Sequence, residues 1–270
     1  MIDLEKAIAF VQSSGDEIER ARLYAILWDA PPPHSVLMKI AESQHADGGF
    51  TYWCREASNI CDTAYILQWL EELHIYDTLF VNRACQYLID HQKEDGGWDE
   101  VQALRDLPVP DWMVPGILEN RLWLTAFCAH ILIHFGYAEA PGTRCPADFL
   151  LAHCDKAGRI KGYLRTTWTA LPMLAFYPGK GSEAFKKAVQ VLEKEYRQDW
   201  NGGYLAWLLH CLQDADLESE HPLVKRCLTD LAQKQRGDGS WEPEKGEDER
   251  QTVNATIVAL RGFHRSGFIE

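Results

Sequence analysis

Several groups of side chains in this sequence have the types and spacing that chemistry needs. Asn59, Cys61 and Asp62 fall together at the expected start of a helix. A carboxyl group there can donate a proton or, when ionised, stabilise the positive end of the helix dipole. A second acidic stretch, Glu247-Asp248-Glu249, precedes the last helical segment. Closely spaced carboxylates raise one another's pKa and keep one protonated for general acid work; such a stretch can equally hold a divalent ion or face solvent. Arg159, Lys161 and Arg165 form a cationic group whose guanidinium planes match diphosphate oxygens as well as ordinary carboxylate partners. Trp123, Tyr163, Trp168 and Trp207 offer π-faces to a developing cation, or plain core volume.

His130 and His134 lie four residues apart, which sets both imidazoles on one helical face. Their apolar surroundings favour core histidines, so no metal site is expected. The eight cysteines are scattered without a Cys-x-x-Cys pair. Reduced thiols in a cytoplasmic protein are the simplest reading. The opening residues Met1 to Lys6 read as an amphipathic helix and not as a secretory leader. A formal net charge of -13 argues against a nucleic-acid partner. The longest apolar run, Leu122 to Tyr137, carries two histidines and is too short for a membrane span, leaving peripheral membrane contact open.

The elements that must position these groups are helices. Apolar residues recur at helical spacing, as at Leu4, Ala7, Ile8 and Val11 or Ala64, Leu67, Leu70 and Leu73. Between them a turn returns: Gln44 to Phe50, Gln92 to Trp98, Gln198 to Tyr204 and Gln235 to Trp241, with Cys154 to Ile160 as a worn copy. Glycine supplies the positive φ such a turn needs, and glutamine can bond the carbonyls a helix end leaves free. Gln12 to Gly15 reads as a reduced first unit. The spacing predicts one all-α domain over 1–270 with about twelve helices in about six pairs. Thr63-Ala64 and similar steps mark the entry of the second helix of a pair. Arg105 to Leu118, with three prolines and a glycine, must be a long loop. Asp106 and Asp111 stand at its flank and centre as further acid candidates. The loop fits a lid, a membrane-dipping patch, a dimer contact or a packed insertion.

Arg83 to Trp98 reads basic, small, two residues, Tyr87, Leu88, three residues, Gln92, three residues, Gly96, one residue, Trp98. This matches the QW motif, and the chain therefore resembles the terpene cyclase, squalene-hopene cyclase and prenyltransferase repeat superfamily along nearly its whole length. The resemblance implies a single α/α barrel of about six helix pairs that holds an isoprenoid. It also implies carbocation cyclisation or isoprenyl transfer. No cofactor is implied, apart from magnesium where the substrate is a diphosphate. The squalene-hopene-type acid motif, Asp-x-Asp-Asp-Thr-Ala, falls on Asn59 to Ala64. Asp62, Thr63 and Ala64 match; Asn59 and Cys61 replace acids, and Cys61 occupies the proton donor's position. A thiol gives up its proton less readily than a carboxylic acid by about 6 kcal/mol. Asp62 is then the best acid candidate, with Glu247, Asp248, Asp106 or Asp111 as replacements for the missing one. Asn59, Cys61, Trp123, Tyr163, Trp168, Arg165 and Trp207 would line the substrate. The competing readings are a non-catalytic barrel binding a lipid, and a barrel that works with a second barrel domain.

Overall fold

The structure, a computed structural model, describes residues 2–139, 145–244 and 248–269. Its helices are α1 (Leu4–Ser14), α2 (Glu17–Trp28), α3 (His34–Glu42), α4 (Ile60–Glu72), α5 (Leu79–Asp90), α6 (Leu118–His134) and α7 (Pro146–Ala152), followed by α8 (Leu164–Thr169), α9 (Leu171–Leu174), α10 (Glu183–Glu195), α11 (Gly202–Asp214), α12 (Pro222–Gln233) and α13 (Thr252–Arg265). Among the described residues no strand forms, and the extended pairings are the isolated bridges Phe50 to Asn59 and Cys154 to Ile160. The all-α class expected from helical spacing is the one observed. No helix of the described residues is long and apolar enough to cross a membrane.

The chain divides into two compact units, residues 1–37 with 195–270, and residues 38–194. In the first, α13 packs on α1, α2, α11 and α12. Gly262 allows the close approach to α11, since a Cβ there would lie 2.6 Å from the Leu209 side chain. In the second, α6 is the hub, touching α4, α7, α8 and α9, while α5 lies against α4. The sequence dictates this order. Every residue of α4 except Tyr65 is buried, and α6 is buried from Leu122 to Leu132. Helices apolar on all sides must be enclosed, whereas a single stripe needs one neighbour. The stripes are Val81, Ala84, Cys85 and Leu88 on α5, and Phe185, Ala188, Val189 and Leu192 on α10.

The turns before α4, α6, α8 and α13 share one construction. The amides of His45, Lys93, Asp155 and Arg236 donate to the carbonyls of Gly49, Gly97, Arg159 and Ser240 at 2.8–2.9 Å. Inside each loop Gly48, Gly96, Gly158 or Gly239 takes φ between 88° and 97°, where side chains are strained. The side-chain amides of Gln44, Gln92 and Gln235 donate to the carbonyls of Gly48, Gly96 and Gly239 at 2.9–3.0 Å. The closing residues Phe50, Trp98, Ile160 and Trp241 are fully buried. Their backbone N–H groups donate to the hydroxyls of Thr63, Thr125, Thr167 and Thr256 at 2.8–3.1 Å. A threonine of each following helix therefore locks turn to helix, and at Thr63 this lock lies beside Asp62.

Two turns differ from their appearance in the sequence. Cys154 to Ile160 lacks the glutamine, yet it makes the backbone closure and the threonine bond. Gln198 to Tyr204 keeps glutamine and both glycines but starts a helix: Asn201 caps α11, its side chain accepting the Tyr204 amide at 3.1 Å. The Arg105–Leu118 segment folds down as a packed insertion. Leu104 and Met113 are fully buried, the Asn120 amide donates to the carbonyls of Asp111 and Val114 at 2.7 and 3.0 Å, and the Gly116 N–H donates to Asp99 at 2.9 Å.

Candidate functional site

The start of α4 gathers two buried carboxylates. Asn59 is the N-cap, its side-chain oxygen accepting the Asp62 amide at 2.8 Å. Asp62 is fully buried. Its Oδ2 accepts from the Tyr52, Trp53 and Cys54 amides at 2.6, 3.1 and 3.4 Å and from Asn59 Nδ2 at 2.6 Å. Its Oδ1 is buried and has no hydrogen-bond partner among the described residues. Burial raises the pKa of this carboxyl, and the N–H donors, Asn59 foremost, pull it back. Opposite lies Glu100, only 3% exposed, whose two oxygens accept the Ile60 and Cys61 amides at 3.0 and 2.8 Å. Burial first, and then the charge of Asp62, raise Glu100 to about 7 against the two amides. The Cys61 thiol is pushed well above its ordinary value by burial, and further by Glu100 and Asp62. The thiol therefore keeps its proton, and a proton that can be given up at this helix start comes from a carboxyl group.

An aromatic network adjoins this acid turn. Trp53 meets Tyr65 at 6.2 Å and Trp112 at 5.8 Å, Trp112 meets Trp123 at 5.4 Å, Trp123 stacks on Phe127 at 5.6 Å, and Phe127 returns to Tyr65 at 5.3 Å. Most of these contacts are edge-on, the arrangement that aligns ring edges with π-faces. The Arg165 guanidinium lies 5.1 Å from the Trp123 ring and 4.9 Å from the Tyr163 ring. The Tyr163 hydroxyl donates to Asn120 at 2.9 Å, which ties α8 to the packed insertion. Asp62, Asn59, Cys61, Trp123, Tyr163 and Arg165 therefore all belong to the 38–194 unit.

The other candidates stand apart from the acid turn. Trp168 is fully buried on α8. Trp207 belongs to α11 in the other unit, its ring 4.9 Å from His210. Asp106 and Asp111 are exposed ends of short 3-10 turns. Asp248 is exposed and paired with Arg250, whose bonds lower its pKa to about 2 and keep it ionised. Glu247 lies outside the described residues. Lys161 is exposed, and Arg159 reaches the Gly162 carbonyl at 3.5 Å. The His130 and His134 rings sit 5.2 Å apart on α6, with His134 4.0 Å from Glu71. All eight cysteines are free.

Sequence reasoning missed Glu100, Trp53, Tyr65 and Phe127. Phe127 had a signal, since it follows Trp123 by one helical turn. Trp53 did too, standing three residues after Phe50, the closing residue of a turn. Glu100 had only its place two residues past Trp98, because its partners are backbone amides that no side-chain pattern reveals.

Comparison with known proteins bears on the fold. The family model described as the A-macroglobulin TED domain matches residues 34–148, less than half of the chain. No curated protein matches. Among solved structures, a protein from Actinoplanes is 16% identical, with 98% of each chain covered and a TM-score of 0.67. The type II terpene cyclase MstE from Scytonema, without ligand, is 16% identical over 98% of this chain and 97% of that one, with a TM-score of 0.64. A variant of that cyclase holding its substrate, geranylgeranyl dihydroxybenzoate, is 16% identical over 97% and 96%, with a TM-score of 0.64. At such identities the likeness is one of fold. This chain shares along nearly its whole length the helical fold of a type II terpene cyclase.

Proposed function

We propose that this chain binds an isoprenoid beside the Trp53–Trp123 aromatic network and starts its cyclisation by protonation from Asp62. One observation carries the reading. Asp62 has one oxygen saturated by N–H donors while the other is buried and unbonded. A proton on this side chain belongs on Oδ1. In the reaction, the π pair of a substrate double bond takes the Oδ1 proton, and the O–H electron pair stays on the carboxylate. The four N–H donors to Oδ2 stabilise the charge that develops there. The carbocation formed meets aromatic faces, which attract it through their quadrupoles. A neighbouring carbon then gives a proton to water, which ends the sequence and leaves a cyclised hydrocarbon chain, and Asp62 regains its proton from solvent. Arg165, set over Trp123 and Tyr163, suits an anionic head group such as a carboxylate or diphosphate. The cyclase of shared fold binds a chain with such a polar head. In this reading the helix pairs of residues 1–270 form one α/α barrel in the cytoplasm, where the thiols stay reduced.

A second reading, a non-catalytic isoprenoid carrier, is favoured by Cys61. That residue stands where the resembled family keeps its proton donor, and burial holds its thiol protonated. One experiment separates the two. Purified protein is incubated with squalene and isoprenyl diphosphates of several lengths, with and without magnesium, and products are read by mass spectrometry. A cyclised product that disappears in Asp62→Asn supports the enzyme. Retention of unchanged isoprenoid through gel filtration, with no product, supports the carrier. A product that needs magnesium and survives Asp62→Asn points to isoprenyl transfer and removes Asp62 from the chemistry.

A further inference from the structure

A helix start leaves its first N–H groups without helical partners, and at α4 they are all buried. Two of them are met by the cap: the Asn59 amide donates to the Phe50 carbonyl at 3.2 Å, and the Asn59 side chain accepts the Asp62 amide at 2.8 Å. The other two, Ile60 and Cys61, are 0% and 1% exposed, so water does not substitute for a partner. Both go to Glu100, one oxygen each, at 3.0 and 2.8 Å. Glu100 lies in the segment after Trp98, in the next repeat, and also accepts the Val101 amide at 3.3 Å. We infer that Glu100 is the positioning residue of the Asp62 acid. It supplies at the Cys61 amide the second buried carboxylate that the Cys61 side chain does not, and its protonation is linked to that of Asp62.

This rests on the reading of Asp62 as the acid. The groups facing Glu100 are Cys61 and Asp62 from α4, Tyr87 from α5 and Cys128 from α6. The two thiols and the phenol are raised by burial and stay neutral. The Arg165 guanidinium also acts on this helix start, at Cys61, and Asp62 is the neighbour with which Glu100 shares a proton: in the acid-competent form the proton is on Asp62 and the charge on Glu100. Two carboxylates at one buried helix start compete for the same positive dipole end, so they give up protons as a pair. A charged Glu100 helps Asp62 keep the proton it must deliver. A simple capping glutamate, by contrast, would titrate without regard to Asp62.

The test uses the full chain and needs no turnover. The Ile60 and Cys61 amide resonances are followed by NMR from about pH 5 to about pH 9 in wild type, Glu100→Gln and Asp62→Asn. In wild type both amides are expected to shift with one midpoint near 7. The shift should vanish in Glu100→Gln, and in Asp62→Asn its midpoint should fall by roughly half a pH unit or more. A wild-type titration that is absent, persists in Glu100→Gln, or keeps its midpoint in Asp62→Asn overturns the inference. Should Glu100→Gln fail to fold, wild type against Asp62→Asn decides alone. An absent cyclised product would sink the reading of Asp62 as the acid and leave these resonances as they are, so the two failures are distinct.

Discussion

Replacing Thr63 by valine keeps the shape of the side chain and removes its hydroxyl, which makes two bonds in the fully buried start of α4. It accepts the Phe50 amide at 2.9 Å and donates to the Asn59 carbonyl at 2.7 Å. The carbonyl keeps the Thr63 amide at 3.2 Å. The Phe50 amide keeps nothing, and an orphaned buried donor costs about 1–3 kcal/mol. The expected loss is therefore ~2 kcal/mol of unfolding free energy. Thr229→Val is the internal control, because Thr229 makes the same bond to the carbonyl one turn back, at 2.8 Å, on an exposed face with no amide donating to it. Valine and threonine have similar helix propensities, so the control should change stability by no more than about 0.5 kcal/mol. Urea unfolding followed by tryptophan fluorescence compares the two. Equal losses would refute the claim that the threonine locks the turn onto the acid-bearing helix.

Glu100 gives the stability a pH dependence of defined sign. Its folded pKa of about 7 lies above the ordinary glutamate value of 4.5, so the folded state holds the proton more tightly. The stability this group contributes is full below the unfolded value and lost as pH rises to about 7, a loss on the order of 3 kcal/mol. Urea midpoints should fall between these pH values in wild type and flatten in Glu100→Gln; an identical slope in both would contradict the assignment. Arg165→Met should weaken binding of an isoprenoid with an anionic head by roughly tenfold and leave squalene binding unchanged, as read by tryptophan quenching. Equal effects on both ligands would remove the head-group role. Native Cys61 should resist iodoacetamide at neutral pH while half-exposed Cys145 reacts, which peptide mapping would check.

Much of the fold was legible because it is written in repeated local chemistry. Gln44, Gln92 and Gln235 bond the turn carbonyls, as the glutamine inventory allows, and Gly96 takes the positive φ its place requires. The stretch from Gln198 misled because Asn201 and two glycines serve a helix cap as readily as a turn; the side chain of Asn201 goes forward to Tyr204. Cys154 to Ile160 shows the converse, since its turn depends on backbone bonds and Gly158, which survive loss of the glutamine. At the site, Asp62 was visible from its place in the first turn of a helix. The four donors to its Oδ2 were not, because three are backbone amides of residues 52–54, which carry no side-chain signature. Trp112 was read as part of a loop of open role, and its seat between Trp53 and Trp123 depends on how the proline-bearing segment folds onto α6.

The central claim is that Asp62 delivers a solvent-exchangeable proton to an isoprenoid double bond. Turnover in deuterium oxide, with products weighed by mass spectrometry, tests it most directly. Protonation by Asp62 predicts a cyclised product carrying one solvent deuterium, with the product gone in Asp62→Asn. A product with no deuterium, or a labelled product that persists in Asp62→Asn, would contradict the account.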